Sequence, residues 1–299
     1  MIPLVLFADR VSIVANFDLA EMPLQRTQVL QAGFDIETGY PVVNPKDTSL
    51  KRAIVMNNCL DLPDLIHIPK DKLVLFFWEP YKLDPSYYQW FSRVYTWDDS
   101  LVDGVKFFKL YYPHLKPMRS HLPPFESKKF CTLVASNWTP ARVQMVEFFS
   151  AKPAGELEFY GKTPDFLATS KMYKGTIGGT HSGPEKYNVL KDYKFCICFE
   201  NTALYRGYIT EKIFGCFAAG CVPVYWGATN VEQYIPKECY IDYRDFKSKE
   251  ELYRFMKAMT KERYEGYLAA IRKFIQSEQA QVFSPAHFDK TFYRAVVCD

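Results

Sequence analysis

Lys194-Phe-Cys-Ile-Cys-Phe-Glu-Asn201, followed after a gap by Tyr208-Ile-Thr-Glu-Lys-Ile-Phe-Gly-Cys-Phe-Ala-Ala-Gly220 and then Cys221-Val-Pro-Val-Tyr-Trp226, is the stretch whose reading sets the fold. Lys194 to Phe199 is an apolar run of strand length, Glu211 to Ala219 is helical with Gly220 to end it, and Val222 to Trp226 is a second strand. Short apolar runs alternating with helices specify a parallel sheet covered on both faces. The same alternation extends upstream through a strand at Phe130 to Ser136, a helix at Ala141 to Ser150 and a strand at Leu157 to Tyr160. Before it, Tyr112 to Lys129 loses all periodicity to Pro113, Pro117, Pro123 and Pro124, which marks a linker. An earlier series has strand-like Pro3 to Phe7, a helical stretch near Leu19 to Ala32, strands at Ala53 to Met56 and Leu73 to Trp78, and alternation over Lys106 to Tyr112.

After Trp226 the chain turns helical and basic. Ser248 and Glu251 form a capping box, and Leu252, Phe255, Met256 and Met259 fall on one face beyond it. There is no internal repeat, yet the two series share one order of elements. The expected architecture is α/β: two doubly wound Rossmann-like domains facing a cleft, residues 1–122 and 123–299, with the last helix able to pack back on the first domain.

Composition narrows the function classes. Of 299 residues, 48% are hydrophobic and 24% charged, which describes a folded chain rather than a disordered one. A net charge of +3 is too small for binding nucleic acid by phosphate neutralisation. The aromatic share of 17% supplies core packing and is also what lines a carbohydrate or nucleotide pocket. Eight cysteines are scattered with no Cys-x-x-Cys, so they read as reduced, buried thiols, and the five histidines show no metal-ligand spacing. Met1 to Ala8 is too short and too soon charged, at Asp9 and Arg10, to be a signal peptide. Ile213 to Trp226, the longest apolar stretch, is broken by Gly215, Gly220 and Pro223 and falls short of the ~20 residues a bilayer requires. Either the chain is cytoplasmic, peripheral to the inner membrane face, or it is the catalytic part of an anchored Golgi-type enzyme. Tyr243 to Lys273 holds nine Lys/Arg against five Asp/Glu, a local +4 by subtraction, which fits a solvated helix face or a weak peripheral contact with a membrane.

Asn201 falls just past the carboxyl end of a strand, where open parallel sheets bind ligands. Thr210 is placed as the N-cap, so Glu211 and Lys212 occupy the first turn of the helix. A lysine is out of place at a helix end that is already positive, and an anion resolves the conflict. Backbone N–H groups and the ammonium would converge on a phosphate while Glu211 accepts from sugar hydroxyls. A solvated first turn is the plainer alternative.

Cys198-Phe-Glu-Asn-Thr, Gly207-Tyr-Ile-Thr-Glu-Lys-Ile-Phe, Gly220-Cys-Val-Pro-Val-Tyr-Trp-Gly-Ala and Tyr234-Ile-Pro together resemble the signature of the α-1,3/4-fucosyltransferases, glycosyltransferase family ten. The match is tight across Tyr193 to Phe246. Val134-Ala-Ser-Asn137 followed by Arg142 is similar to the family's first donor-domain strand and phosphate-binding arginine, and Trp78-Glu79-Pro80 with Tyr95-Thr-Trp-Asp-Asp99 resembles the acceptor-side segment carrying the general base. Residues 1–70 carry no such resemblance. The resemblance implies a GT-B fold, GDP-fucose as donor, and inverting transfer of L-fucose to a hydroxyl of an N-acetylglucosamine or glucose unit. It implies that Arg142 and Lys212 hold the diphosphate, Glu211 the ribose side, Tyr208 and Asn201 the phosphate and fucose side, with Ser136 and Asn137 lining the donor site and Glu79 as base. Two departures bear on specificity: an extra residue near Tyr205 and Arg206, and the Trp-Glu-Pro context of Glu79.

No Asp-x-Asp metal motif occurs, so no divalent ion is required in this reading, and Arg142 and Lys212 would meet the charge on departing GDP. Asp98-Asp99 reads as loop capping, with Asp98, Asp99 and Asp103 next in line as base after Glu79. Two other functions compete: a GT-B enzyme using another nucleotide sugar, and a nucleotide- or glycan-binding module without turnover.

Overall fold

The computed structural model describes residues 9–15, 26–38, 49–57, 65–180 and 183–298. The chain divides into two units, Met1–Pro113 with Pro285–Asp299, and His114–Ser284.

The first unit is built on a parallel sheet of six strands: β1 (Arg10–Val14), β2 (Asp35–Thr38), β3 (Leu50–Met56), β4 (Leu73–Phe77), β5 (Arg93–Thr96) and β6 (Phe107–Lys109). Their order is β2-β1-β3-β4-β5-β6, so the winding reverses between β1 and β3. All of β4 is buried, as an uninterrupted apolar strand inside a covered parallel sheet must be. Helix α1 (Thr27–Gln31) supplies one cover, and its Gln28 N–H reaches Asp289 in the chain's last helix at 3.3 Å. That last helix lays Phe288 and Phe292 against Phe76 of β4, and beyond it Arg52 and Arg93 both donate to the carbonyl of Cys298.

The expected strand at Pro3 to Phe7 and much of the helical stretch from Leu19 lie outside the described residues. Strands β1, β2 and β5 escaped the sequence reading. β2 is an edge strand with one aliphatic residue in four, and Glu37 in it pairs with Arg10 of β1 at 2.7 Å, so its stabilising contacts are polar.

The second unit holds a five-stranded parallel sheet: β7 (Lys129–Val134), β8 (Glu158–Tyr160), β9 (Tyr193–Phe199), β10 (Val222–Trp226) and β11 (Ile241–Asp242), in the order β11-β10-β9-β7-β8. Its helices are α2 (Pro140–Ser150), α3 (Asp165–Ala168), α4 (Pro184–Leu190), α5 (Glu211–Ala219), α6 (Lys249–Lys257) and α7 (Lys261–Ile275), and α8 (Pro285–Val297) is the helix returned to the first unit. Ser248 caps α6 by accepting from Glu251 N at 3.1 Å, and Leu252, Met256 and Met259 are buried beneath it. Several cations of the basic stretch are paired within the unit, Arg244 with Asp242, Lys257 with Glu156 and Lys261 with Glu126.

The proline-rich segment from Tyr112 to Lys129, read as a linker, divides between the units at Pro113 and His114 rather than at residue 122. It turns into the second unit at His114 and is bound there: Arg119 N donates to the carbonyl of Ala218 at 3.0 Å, and the buried Lys128 ammonium donates to the carbonyls of Lys191 and, at 3.2 Å, Gly220. These lysine and backbone donors satisfy carbonyls at the C-terminal ends of α4 and α5, which holds an extended chain without a strand. Of the described cysteines, Cys131, Cys196, Cys198, Cys216, Cys221 and Cys239 are buried free thiols and Cys298 is exposed.

Candidate functional site

In the second sheet the winding reverses between β7 and β9, and ligands of open α/β sheets bind outside the carboxyl ends of strands at such a point. Arg142, in the first turn of α2, spans it: its guanidinium donates to the carbonyl of Asn137 beyond β7 and to that of Phe199 at the end of β9. The side chain is only 3% exposed, so it fixes the two strand ends together. Ser136 and Asn137 stand exposed in the β7–α2 turn, and Asn201 is half-buried just past β9.

The end of β9 also delivers Glu200, 1% exposed, whose carboxylate organises the start of α5. One oxygen accepts from Thr210 N at 2.9 Å; the other accepts from the Thr210 hydroxyl at 2.7 Å and lies 3.2 Å from the Lys212 ammonium. Thr210 is the N-cap the spacing predicts, accepting from Lys212 N at 3.4 Å, and Gly220 closes the helix with φ +61°. Gly227 permits this packing, because a Cβ there would fall 2.6 Å from Glu200 Cγ. The lysine in a positive helix terminus is therefore already answered from within the protein. The external anion expected from sequence is not needed to account for Lys212, and Glu200, quoted in the motif but given no role, is the residue that reading missed.

Glu211 and Lys212 are each 19% exposed and lie 3.4 Å apart. Burial pushes the Glu211 carboxyl up, but Lys212, Lys186 and His114 together bring it well below the usual carboxylate range. For Lys212, burial favours the neutral amine, and Glu211 and Glu200 overcome it and hold the ammonium charged. Burial draws Arg142 down against the opposing pull of Glu200, and a guanidinium stays charged regardless. His114 is pushed down to about 4 by burial and the nearby lysines Lys186, Lys116 and Lys212, against Glu211, so it is neutral at pH 7. Formally, Arg142, Lys186 and Lys212 outnumber Glu200 and Glu211, leaving a net positive cluster around the start of α5. Lys186 and His114 also escaped the sequence reading; α4 brings Lys186 against α5, where its Nζ would lie 3.8 Å from a Cβ at Gly215.

Tyr208 is 3% exposed, and its carbonyl accepts from the Tyr225 hydroxyl at 3.5 Å. Near the one-residue extension, Thr229 N donates to the carbonyl of Tyr205 at 3.2 Å, and Arg206 donates to Gln233 at 3.3 Å.

In the first unit Glu79 follows β4 and is partly buried, and burial raises its carboxyl above the ordinary 4.5. Asn57 Nδ2 donates to Glu79 Oε1 at 3.2 Å, and Trp97 Nε1 donates to the Glu79 carbonyl at 2.9 Å. The three aspartates after Trp97 each hold partners of their own. Asp98 accepts from Ser100 and pairs with Lys82, Asp99 pairs with Lys109 at 2.6 Å, and Asp103 accepts from the N–H groups of Val105, Lys106 and Phe107. Among the described residues no group of three or more His, Cys, Asp or Glu side chains forms a metal site, and no helix is long and apolar enough to cross a membrane.

Residues 125–297 match the family model described as glycosyltransferase family 10 (fucosyltransferase) C-term. The chain is 28% identical over 191 residues to the alpha-(1,3)-fucosyltransferase FucT of Helicobacter pylori, an alignment covering 61% of this chain and 38% of that protein. It is 31% identical over 140 residues to 4-galactosyl-N-acetylglucosaminide 3-alpha-L-fucosyltransferase 9 of Bos taurus, covering 46% of this chain and 35% of that protein. The matched region thus spans well under half the length of these relatives. Among solved structures, a crystal structure of an alpha1,3-fucosyltransferase superposes with a TM-score of 0.65 at 18% identity, covering 97% of this chain and 90% of that one. T4 phage BGT in complex with UDP and Mn2+ superposes with a TM-score of 0.59 at 14% identity over 96% of this chain and 99% of that one. The two parallel-sheet units are those of the GT-B fold.

Proposed function

The chain belongs to glycosyltransferase family 10, and from that premise we propose that it is an inverting fucosyltransferase, moving L-fucose from GDP-fucose to a hydroxyl of an N-acetylglucosamine or glucose unit in a glycan, through an α-1,3 or α-1,4 linkage. The observation that carries this reading is the charged start of α5, where Glu211 and Lys212 stand beside Arg142 at the sheet's switch point and within the family match.

Lys212 binds the diphosphate, and Arg142 adds positive charge beneath it; two of its bonds go to carbonyls, and a guanidinium carries five N–H donors. Glu211, held ionised, accepts from the ribose hydroxyls. Asn201, Ser136 and Asn137 line the phosphate and fucose side, and Tyr208 shapes its floor. Glu79 takes the proton of the acceptor hydroxyl as that oxygen bonds to the anomeric carbon of fucose. The bond from that carbon to the phosphate oxygen breaks, and its electron pair leaves with GDP. The growing charge on GDP meets Lys212, Arg142 and Lys186, so the transfer proceeds without an essential divalent ion. In this reading the chain is cytoplasmic, peripheral to the inner membrane face, or it is the catalytic part of a Golgi-type protein.

Calorimetry and thermal melting with GDP, GDP-fucose and UDP-N-acetylglucosamine test the donor. At a concentration of 100 Kd a true ligand stabilises by about 2.7 kcal/mol. GDP and GDP-fucose raise Tm and the uridine nucleotide does not; equal stabilisation by both classes favours an enzyme for another nucleotide sugar. GDP-fucose binding without transfer to any N-acetylglucosamine or glucose acceptor favours a binding module.

A further inference from the structure

Asn57 stands directly after β3 with φ +61°, the one non-glycine residue in the left-handed region among those described. It is 4% exposed. Asparagine tolerates this conformation better than most residues, and such outliers persist where the surroundings hold them. Here they do: Asn57 N donates to the Phe76 carbonyl at 2.7 Å, and Asn57 Oδ1 accepts from Trp78 N at 2.9 Å. Because a backbone N–H can only donate, the oxygen of the amide must face Trp78, and the NH2 group must face Glu79. Its Nδ2 meets Glu79 Oε1 at 3.2 Å. Both ends of one buried amide are thus spent on consecutive residues leaving β4. Trp97 Nε1, donating to the Glu79 carbonyl at 2.9 Å, fixes the same segment from the other side.

We propose that Asn57 is a positioning residue that aims the Glu79 carboxylate at the acceptor hydroxyl, an inference that rests on the reading of Glu79 as base. The amide occupies Oε1 and leaves Oε2 to receive the proton. A carboxylate on a rotatable side chain would otherwise spread over several rotamers, and a base works only within hydrogen-bond reach of its proton. The donor amide also favours the ionised carboxylate, the form a base needs. The left-handed backbone is what lets one short side chain reach both Trp78 and Glu79.

Two substitutions separate aiming from simple support. Glycine adopts φ +61° freely, so Asn57→Gly keeps the backbone and loses both side-chain bonds. Aspartate tolerates the conformation and still accepts from Trp78 N, but sets an anionic oxygen against Glu79 Oε1. The measurements are initial transfer rates with saturating GDP-fucose and acceptor, calorimetric binding of GDP, and Tm. Positioning predicts that Asn57→Gly lowers kcat about 10-fold and Asn57→Asp about 100-fold, with GDP affinity within about twofold of wild type, because the losses fall on the base's share of the rate. A supporting role predicts the reverse ranking, since Asp keeps the structural bond and Gly does not. Wild-type kcat in Asn57→Gly, or Asn57→Asp more active than Asn57→Gly, overturns the inference; should the Asp variant not fold, the pH dependence of kcat/KM in Asn57→Gly decides, because losing the amide donor to Glu79 moves the limb of the base to higher pH and an unmoved limb overturns the inference. Glu79→Gln is measured beside them: if it loses transfer while the Asn57 variants do not, only the role of Asn57 fails, and if it keeps wild-type turnover, the assignment of the base fails with it.

Discussion

The Glu200 carboxylate lies 3.2 Å from the Lys212 ammonium, joining the end of β9 to the first turn of α5. A helix N-terminus repels a cation, so Lys212 in that turn needs a compensating negative charge. Glu200 provides it from the strand while also accepting both the N–H and the hydroxyl of the N-cap Thr210. One buried acid therefore sets the cap, the helix start and the position of the ammonium. In the fucosyltransferase reading this preorganises the cation before nucleotide arrives.

Glu200→Gln keeps the shape and removes the charge. It leaves a lysine in a positive helix end with only Glu211 as counter-charge, and it turns an amide NH2 toward donors at one of its two positions. Breaking one side of a buried ion pair costs about 3 to 5 kcal/mol. The lower end is expected here, because Lys212 keeps some contact with solvent. Urea denaturation measures it, and stability within about 0.5 kcal/mol of wild type, the ordinary scatter of surface substitutions, would show that the pair contributes little.

His114 gives the fold a pH dependence with a definite sign. Its pKa is about 4 in the folded chain, against an ordinary 6.5, because burial and the facing cations Lys186, Lys116 and Lys212 outweigh the attraction of Glu211. Between those values the unfolded chain takes up a proton that the folded chain refuses, so stability falls as pH falls from 6.5 towards 4. The full loss from this group is about 3 kcal/mol at 1.36 kcal/mol per pKa unit. His114→Gln carries no such proton uptake. Unfolding free energies at pH 7 and pH 5 should show wild type losing about 2 kcal/mol more than the variant. Parallel losses in the two proteins would assign the acid sensitivity elsewhere.

The sequence revealed those parts of the fold whose signals are local. β9, α5 and β10 are contiguous apolar runs closed by Gly220, and Thr210 announces the helix start by its place before Glu211 and Lys212. β5 left little trace because Arg93-Val-Tyr-Thr96 is short and polar at its ends; it is a strand because β4 and β6 pair with it on both sides. The site follows the same rule. Glu200 was visible as part of a motif, but its role depends on Thr210 and Lys212 reaching back to it from the helix. Asn57 was invisible: its partners Trp78 and Glu79 are 21 and 22 residues away, and a left-handed asparagine leaves no periodic mark. Lys186 and His114 join the cluster only once α4 and the segment after Pro113 have packed.

Lys212 and Arg142 should matter most when charge develops on the leaving group. Lys212→Ala and Arg142→Ala are each expected to lower kcat/KM by about 10²-fold or more, with a part of the loss in kcat. Arg142→Ala should also lower Tm, because its guanidinium ties the carbonyls of Asn137 and Phe199. The same assays with EDTA check the charge assignment: activity should persist, with at most a modest decrease. Complete loss on chelation, restored only by Mn²⁺ or Mg²⁺, would transfer the role of these side chains to a metal ion.

The two glutamates should separate donor binding from turnover. Glu211 belongs to the second unit, beside Lys212 and in the family match, and it is held ionised by the surrounding cations. Glu211→Gln removes an anion that accepts hydrogen bonds, so it should weaken GDP-fucose binding and slow transfer together. Glu79 belongs to the first unit, where burial raises its carboxyl and Asn57 holds one of its oxygens. As base it must be ionised, so kcat/KM should rise with pH through a limb lying above 4.5, the ordinary value for the group. Glutamine has nearly the same shape, keeps an oxygen for the Asn57 amide and cannot take a proton. Glu79→Gln should therefore fold normally, bind GDP-fucose about as tightly as wild type and lose transfer by roughly 10² to 10⁴, the usual worth of general-base assistance. Removing a partly buried acid with a raised pKa also relieves the cost of ionising it, so the variant should be no less stable than wild type at pH 7. Calorimetric binding of GDP-fucose beside initial rates at saturating acceptor resolves the pair. Near-wild-type turnover in Glu79→Gln would place the base elsewhere, and Asp98, Asp99 and Asp103, each already engaged with partners, would have to release one to serve.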